Sequence, residues 1–291
     1  MRPTKVRPRD VARVLPDRRS DSHKGENGVV LVVGGSERYV GAPALTALAA
    51  LRSGADLAIV VAPERVAWTI NALSPDILTI KLPGSELGPD GLGHIEEEIK
   101  RATAVVVGPG LGLSGRVSGT VLELARMIRR ANLPALFDAD GLKIIGPRLG
   151  ELGSGKWVLT PHAGEFQIIS GKTLPRIPHE RIPIVSDFAK RSGCVILLKA
   201  QADIIASPDG RVKLNTTGNP GMTVGGTGDV LAGIVGTLLS QGVPAFEAAF
   251  AGAWISGRAG DLCMKERGYE FLASDVVNKI PEVFRELRRC R

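Results

Sequence analysis

The chain has 291 residues, 44% hydrophobic and 23% charged, a globular composition that excludes a disordered or membrane class. Its formal charge of +7 raises polyanion binding, but much of the positive charge sits at the ends, and with aromatics at only 4% a nucleic-acid surface is not expected. Cys194, Cys263 and Cys290 are odd in number and widely spaced, and no apolar run approaches the roughly 20 residues of a membrane span, so neither a disulfide framework nor a membrane association is expected, and the expected location is a reducing, cytoplasmic one.

Residues 1–24 carry eight basic side chains, from Arg2 to Lys24, and are read as a basic N-terminal arm of solvated charge. From there short, continuously apolar runs alternate with segments of helical periodicity, the pattern of repeated strand–helix–strand units. Strands are predicted over 29–33, 57–62, 77–82, 104–107, 135–138, 157–159 and 195–198. They are apolar on both faces, as expected of parallel strands covered by helices on each side. Helices are predicted over 42–52, 63–73, 91–101, 117–130, 164–170 and 182–191. Two further strands, 203–206 and 211–214, flank Ser207-Pro-Asp-Gly210, a turn sequence that predicts an antiparallel hairpin. Three helices over 226–240, 244–264 and 273–289 close the fold. With no internal repeat and no linker, residues 1–291 are read as one α/β domain.

Five loops follow strands, and in an open parallel sheet such loops share one edge and converge on one cleft. After the first strand comes Gly34-Gly-Ser-Glu-Arg-Tyr-Val-Gly-Ala-Pro43, which lacks the Gly-x-Gly-x-x-Gly fingerprint of a dinucleotide-binding dehydrogenase. Later loops read Gly108-Pro-Gly-Leu-Gly112, Asp138-Ala-Asp-Gly141 and Thr160-Pro-His-Ala-Gly-Glu165. Singly, Asp138 and Asp140 read equally as turn formers or ligands, and His162 as a helix cap. Lys199 ends the seventh strand, where it could offset phosphate charge or merely reach solvent. The strongest signal is Gly225-Gly-Thr-Gly-Asp229, a glycine loop opening an apolar helix. Free amides and the positive dipole end make such a start an anion site. A carboxylate placed there is either a helix cap or a base that takes a proton from a hydroxyl attacking phosphorus. No Gly-x-x-x-x-Gly-Lys-Ser/Thr phosphate loop occurs.

Taken together, His23-Lys-Gly25 leading to Val33-Gly-Gly-Ser36, Gly41-Ala-Pro43, Gly108-Pro-Gly-Leu-Gly112, Asp138-Ala-Asp140, Leu159-Thr-Pro-His162 with Gly164-Glu165, and Asn219-Pro-Gly-Met-Thr-Val-Gly-Gly-Thr-Gly-Asp229 resemble the nucleotide-dependent dehydratase of the NAD(P)H-hydrate repair system, over nearly the whole chain. The resemblance implies a ribokinase-like three-layer α/β/α sandwich with a mostly parallel sheet. It implies use of ADP, or ATP in some relatives, with Mg2+, to phosphorylate the hydroxyl of hydrated NADH or NADPH (NADHX, NADPHX), phosphate elimination then restoring the double bond. Carried over by motif, Asp229 is the base, and Ala42, Gly112, His162 and Asp229 contact the hydrated dinucleotide. Lys199, Ala200, Gln201, Ala202, Asp203, Gly226, Thr227 and Gly228 contact the adenine nucleotide and its phosphates. A homo-oligomer, commonly a tetramer, and a separate epimerase are further implications. Two departures stand out: Pro161-His-Ala-Gly164 where relatives have Pro-His-Pro-Gly, and Lys199-Ala-Gln-Ala-Asp203 in place of a Lys-Gly form.

Two other readings use the same residues. One is a ribokinase-like kinase for a small alcohol such as a vitamin precursor, which phosphorylates without eliminating. The other is a non-catalytic nucleotide-binding module in which Asp229 only caps a helix.

Overall fold

The computed structural model describes residues 3–290. Residues 3–15 differ from a free arm. Thr4–Lys5 (β1) pairs with a strand near residue 213, and Pro8–Val14 (α1) buries Val11 and Ala12 while its arginines stay exposed. Charge hid this segment, because only Val11, Ala12 and the following Leu15 are buried along the whole helix.

Val29–Val33 (β2), Gly41–Arg52 (α2), Leu57–Pro63 (β3), Glu64–Leu73 (α3) and Leu78–Leu82 (β4) follow. Next come Leu92–Ile99 (α4), Ala104–Val107 (β5), Gly115–Arg130 (α5), Ala135–Phe137 (β6), Ala139–Ile145 (α6), Leu149–Leu152 (α7) and Trp157–Leu159 (β7). The chain continues with Ala163–Ser170 (α8), Pro178–Ser192 (α9), Val195–Leu198 (β8), Asp203–Ala206 (β9) and Val212–Asn215 (β10). Thr227–Ser240 (α10), Ala245–Arg267 (α11) and Ala273–Arg288 (α12) complete it. None of the described helices is long and apolar enough to cross a membrane.

All ten strands form one sheet, ordered β1-β10-β9-β8-β7-β6-β5-β2-β3-β4. Strands β2 to β8 run parallel, β9 is antiparallel to both its neighbours, and β1 lies outside the predicted hairpin, parallel to β10. Two-sided burial is written into each central strand. Val30 and Val32 of β2 face a core shared with α1, α2, α3, α10, α11 and α12, whereas Val29, Leu31 and Val33 face one shared with α4 to α9. The outcome is the expected three layers around a mostly parallel sheet.

Strand order reverses between β2 and β5, so their following loops diverge and leave a crevice at the carboxyl edge. The two loops touch where they part: Gly35 N donates to Pro109 O at 2.8 Å. A side chain at Gly34 would meet Pro109 O at 2.5 Å, so the close approach demands glycine. Helix α10 runs beneath this edge against α2, and its first turn delivers the glycine loop and Asp229 to the crevice.

Candidate active site

The centre of the site is a charge cluster at the ends of β6, β7 and β8. Asp138, just past β6, is buried and serves as the residue before α6. Its Oδ1 accepts from Thr160 Oγ1 at 2.8 Å and from Lys199 Nζ at 2.8 Å. Lys199 Nζ also stands 3.9 Å from Glu165 Oε2, on α8, whose side chain is only 5% exposed. Lys199 N donates to Pro161 O, and an isolated parallel bridge joins Lys199 to His162, so the ends of β7 and β8 lie side by side. Burial works against the charge of Lys199, but Asp138, Glu165 and Asp229 outweigh it and hold the ammonium above its usual range.

Asp229 occupies the first turn of α10 and caps nothing there; the helix begins at Gly226, whose φ of 99° lies in the left-handed region. A side chain at Gly226 would press to 2.7 Å on Leu45 of α2 and 2.9 Å on Ala273. At Gly228 a Cβ would stand 3.5 Å from Lys199 Nζ and 3.7 Å from Asp138 Oδ2, which places the helix start beside the charge cluster. Burial, and then repulsion by Asp138, push the Asp229 carboxyl up to about 7 against the pull of Lys199. A carboxylate titrating near neutrality beside helix-start amides is suited to exchange a proton next to a bound phosphate.

A cavity of about 710 Å³ opens on one side of this cluster. Of the residues predicted to hold a nucleotide, Lys199, Ala200, Gln201, Asp203, Thr227 and Gly228 line it, as does His162; Ala202 and Gly226 do not. Its outer wall is the segment after β10. There Asp261 of α11 accepts from Gly218 N at 3.2 Å and Asn219 Nδ2 at 3.1 Å, while Thr217 Oγ1 donates to Asn215 Oδ1 at 2.9 Å. Asn215 Nδ2 in turn donates to Asp203 Oδ2 at 3.0 Å, and Asp203 Oδ1 accepts from Ala200 N at 3.0 Å. Burial pushes the Asp203 carboxyl up to about 6 despite these donors and Lys199. The network ties the two walls of the cavity together.

Ala42, Gly112 and Asp229 do not line this cavity. Ala42 lies in the first turn of α2, next to the Gly108–Gly112 loop: a Cβ at Gly110 would lie 3.5 Å from that of Ala42. Gly112 N donates to Asp140 Oδ2 at 2.9 Å, and Asp140 also pairs with Lys143 at 2.9 Å. The predicted residues therefore fall into two groups on either side of the cluster. His162 is the helix cap that its place in the sequence suggests. Its Nδ1 accepts from Gly164 N at 3.0 Å and Glu165 N at 3.3 Å, capping α8, while the imidazole remains 59% exposed toward the cavity.

The sequence assigned no role to Ala253, Ser256 or Gly257, which line the cavity from α11. Their only signature is small size at spacings of three and four on one helix face; Gly257 leaves room for Thr217, which its Cβ would overlap. Met222 and Asn219 belong to the run singled out before Asp229, but as sequence it did not reveal which side chains face the cavity.

Comparison with known proteins agrees with this geometry. A family profile described as NAD(P)H-hydrate dehydratase matches residues 30–282. The bifunctional NAD(P)H-hydrate repair enzyme Nnr of Pyrobaculum aerophilum is 44% identical over 96% of this chain and 55% of its own length. The chain spans about half the length of the curated relatives it matches. The ADP/ATP-dependent NAD(P)H-hydrate dehydratase of Bacillus subtilis, co-crystallised with ATP and Mg2+, superposes with a TM-score of 0.81 at 26% identity, over 99% of both chains. A ribokinase-like superfamily protein of Enterococcus faecalis shares the fold, with a TM-score of 0.84 at 24% identity over 98% of this chain and 96% of that one. With a profile spanning β2 to α12 and the glycine loop, Asp229 and Lys199 gathered at one sheet edge, the chain belongs to the NAD(P)H-hydrate dehydratase family.

Proposed function

We propose that the chain is an ADP-dependent, or ATP-dependent, dehydratase that returns the S epimer of NADHX and NADPHX to NADH and NADPH. The observation that carries this reading is Asp229, a carboxyl titrating near 7 in the first turn of α10, beside Lys199 and a nucleotide-sized cavity. In this reading the adenine nucleotide fills the cavity, between the turn at residues 199–203 and α11. Its terminal phosphoryl rests on the amides of Gly226, Thr227 and Gly228. The hydrated ring lies across the cluster toward Ala42 and Gly112, with His162 reaching it from the cavity side.

Asp229 takes the proton of the ring hydroxyl as that oxygen attacks the terminal phosphorus. A new O–P bond forms, and the P–O bond to the leaving nucleotide breaks, giving AMP from ADP or ADP from ATP. Loss of a proton from the adjacent ring carbon, with departure of inorganic phosphate, then rebuilds the C=C bond. Amides fixed by Gly226 stabilise charge on the transferring group without reorganising.

Among the described residues no group of three or more His, Cys, Asp or Glu side chains could enclose a metal ion. That fits magnesium, which is ordinarily held by phosphate oxygens and water with one or two carboxylates. Asp138 would be the carboxylate to hold it, its Oδ1 engaged by Lys199 and Thr160 and its Oδ2 beside Gly228. When bound there, magnesium would neutralise charge on the phosphates. We extend the reading to a single domain over 1–291, which the continuous sheet supports, and to a cytoplasmic homo-oligomer, a tetramer, acting with an epimerase, which rests on the family resemblance.

Incubation with hydrated NADH, magnesium and either ADP or ATP should restore dihydronicotinamide absorbance, with one phosphate released per ring. Asp229→Asn should lower turnover by about a hundredfold or more while ADP binding and folding persist, because Asn cannot take the proton. No return of absorbance with either nucleotide would sink the dehydratase reading. Accumulation of a stable phosphate ester on a thiazole or pyrimidine alcohol would favour the kinase.

A further inference from the structure

The cavity beside Lys199 draws its lining from residues 162–257, and no residue of the loops after β2 and β5 contributes. It is sized for one nucleotide. A hydrated dinucleotide brings a second base, a second ribose and a pyrophosphate, and these need a flat apolar surface and a cation. The crevice on the other side of the cluster offers two loops. Gly108-Pro-Gly-Leu-Gly-Leu-Ser114 holds neither a charge nor an aromatic ring. The loop over residues 34–40 holds both, in Arg38 and Tyr39, to which the glycine-rich sequence around them gives no role.

Tyr39 is 47% exposed, which leaves part of its ring open to a ligand. Its loop is nevertheless pinned. Gly35 N donates to Pro109 O, Tyr39 N donates to Ser36 O at 2.9 Å, and Glu37 pairs with Arg65 of α3 at 3.5 Å. Gly110 sits so close that a Cβ there would stand 2.6 Å from that of Tyr39 and 2.9 Å from its carbonyl oxygen. The Arg38 guanidinium is exposed and lies 5.5 Å from the centroid of the Tyr39 ring. Immediately after them α2 begins at Gly41, in open space, so its amino-terminal amides add to the positive field.

We infer that Arg38 and Tyr39 hold the non-reacting adenosine half of the dinucleotide, a reading that rests on the dehydratase proposal. The Tyr39 ring stacks on the base, and the Arg38 guanidinium pairs with a phosphate, as a planar fork of donors is built to do. A guanidinium–phosphate pair suits either the pyrophosphate or the 2′-phosphate of NADPHX.

Fluorescence titration of NADH and NADPH into the wild type, Tyr39→Ala, Arg38→Ala and Arg38→Lys, with kinetics on both hydrates and sedimentation of each variant, tests this. Tyr39→Ala is expected to weaken both dinucleotides about tenfold, the loss falling on Kd and on KM for the hydrate, with the KM for ADP and the sedimentation coefficient unmoved. Arg38→Ala is expected to weaken binding likewise, with partial recovery in Arg38→Lys. An equal loss for NADH and NADPH assigns Arg38 to the pyrophosphate; a loss confined to NADPH assigns it to the 2′-phosphate. Unchanged Kd and KM in an enzyme that still turns over overturn the inference and leave the dehydratase standing. Variants that instead change the oligomeric state overturn it as well. A wild type that neither binds dinucleotide nor turns over removes both.

Discussion

Asp229 is placed where its charge is unwelcome, and that sets its behaviour with pH. Its carboxyl is pushed up to about 7 by burial and by Asp138, from the 3.8 of a free aspartate. If Asp229 is the proposed base it acts only when deprotonated, so kcat/KM should rise with pH through about 7 and level off above it. Stability runs the other way. Since the folded pKa exceeds the unfolded one, the folded protein binds the proton more tightly. That stabilisation is complete below about pH 4 and is lost as pH rises through about 7. Asp229→Asn should therefore be more stable than the wild type at pH 8, by on the order of a few kcal/mol, a margin that closes as the pH approaches 4. Thermal melts at both pH values check this; equal melting points at pH 8 would mean that the carboxylate is not under strain. Asp229 was legible in sequence because glycines announce a helix start stripped of side chains. Thr160 and Glu165 were not given roles, since a hydroxyl and a carboxylate six residues or fewer from a strand end look alike whether they hold Lys199 or face water.

Helix α10 transmits the demands of the core to the site. Gly233 meets α2 so closely that a Cβ would overlap Thr46 O and lie 2.8 Å from Ala49 Cβ and 3.0 Å from Ala50 N. Thr237 Oγ1 donates to Ala50 O one turn further on, at 3.0 Å. Gly233→Ala should cost about 1–3 kcal/mol by overpacking, seen as a lower urea midpoint, and should also lower kcat, because the helix that must move carries Asp229. A drop in stability with unchanged kcat would show that the first turn is anchored independently of the rest. Elements were readable in proportion to how plainly burial wrote them. The valine-rich strands β2, β3 and β5 are apolar on both faces and could hardly be misplaced. Helix α6 was hidden because Asp138-Ala-Asp-Gly141 has the composition of a turn, yet forms its cap and first turn, with Ala139 held at a φ of 48°. Helix α9 begins at Pro178, ahead of the predicted 182, and carries Pro183 inside it.

At the scale of the molecule, the cavity is a product of topology. Its walls come from the turn after β8, the segment after β10, the start of α10 and the middle of α11. The first three contain residues singled out in the sequence, whereas the contribution of α11 depends on how the last helices fold back over the sheet. If this cavity is the nucleotide site, ADP with magnesium at a hundred times its Kd should stabilise the protein by about 2.7 kcal/mol, a rise of several degrees in Tm. Hydrated dinucleotide, bound on the opposite side of the cluster, should add its own increment. Absence of any shift with ADP at millimolar concentration would remove the cavity from the mechanism.

The parallel pairing of Thr4 and Lys5 with Lys213 and Leu214 has a bearing on how the protein comes to be made. During synthesis the first of these segments leaves the ribosome long before the second exists. Pairing across so large a sequence separation is slow to close, so β1 and α1 should be among the last pieces to dock. Until they do, β10 presents an open row of backbone donors and acceptors, with Val11 and Ala12 not yet buried. The nascent chain is then most exposed to self-association, and to the attention of chaperones, along the edge that residues 4–14 finally cover.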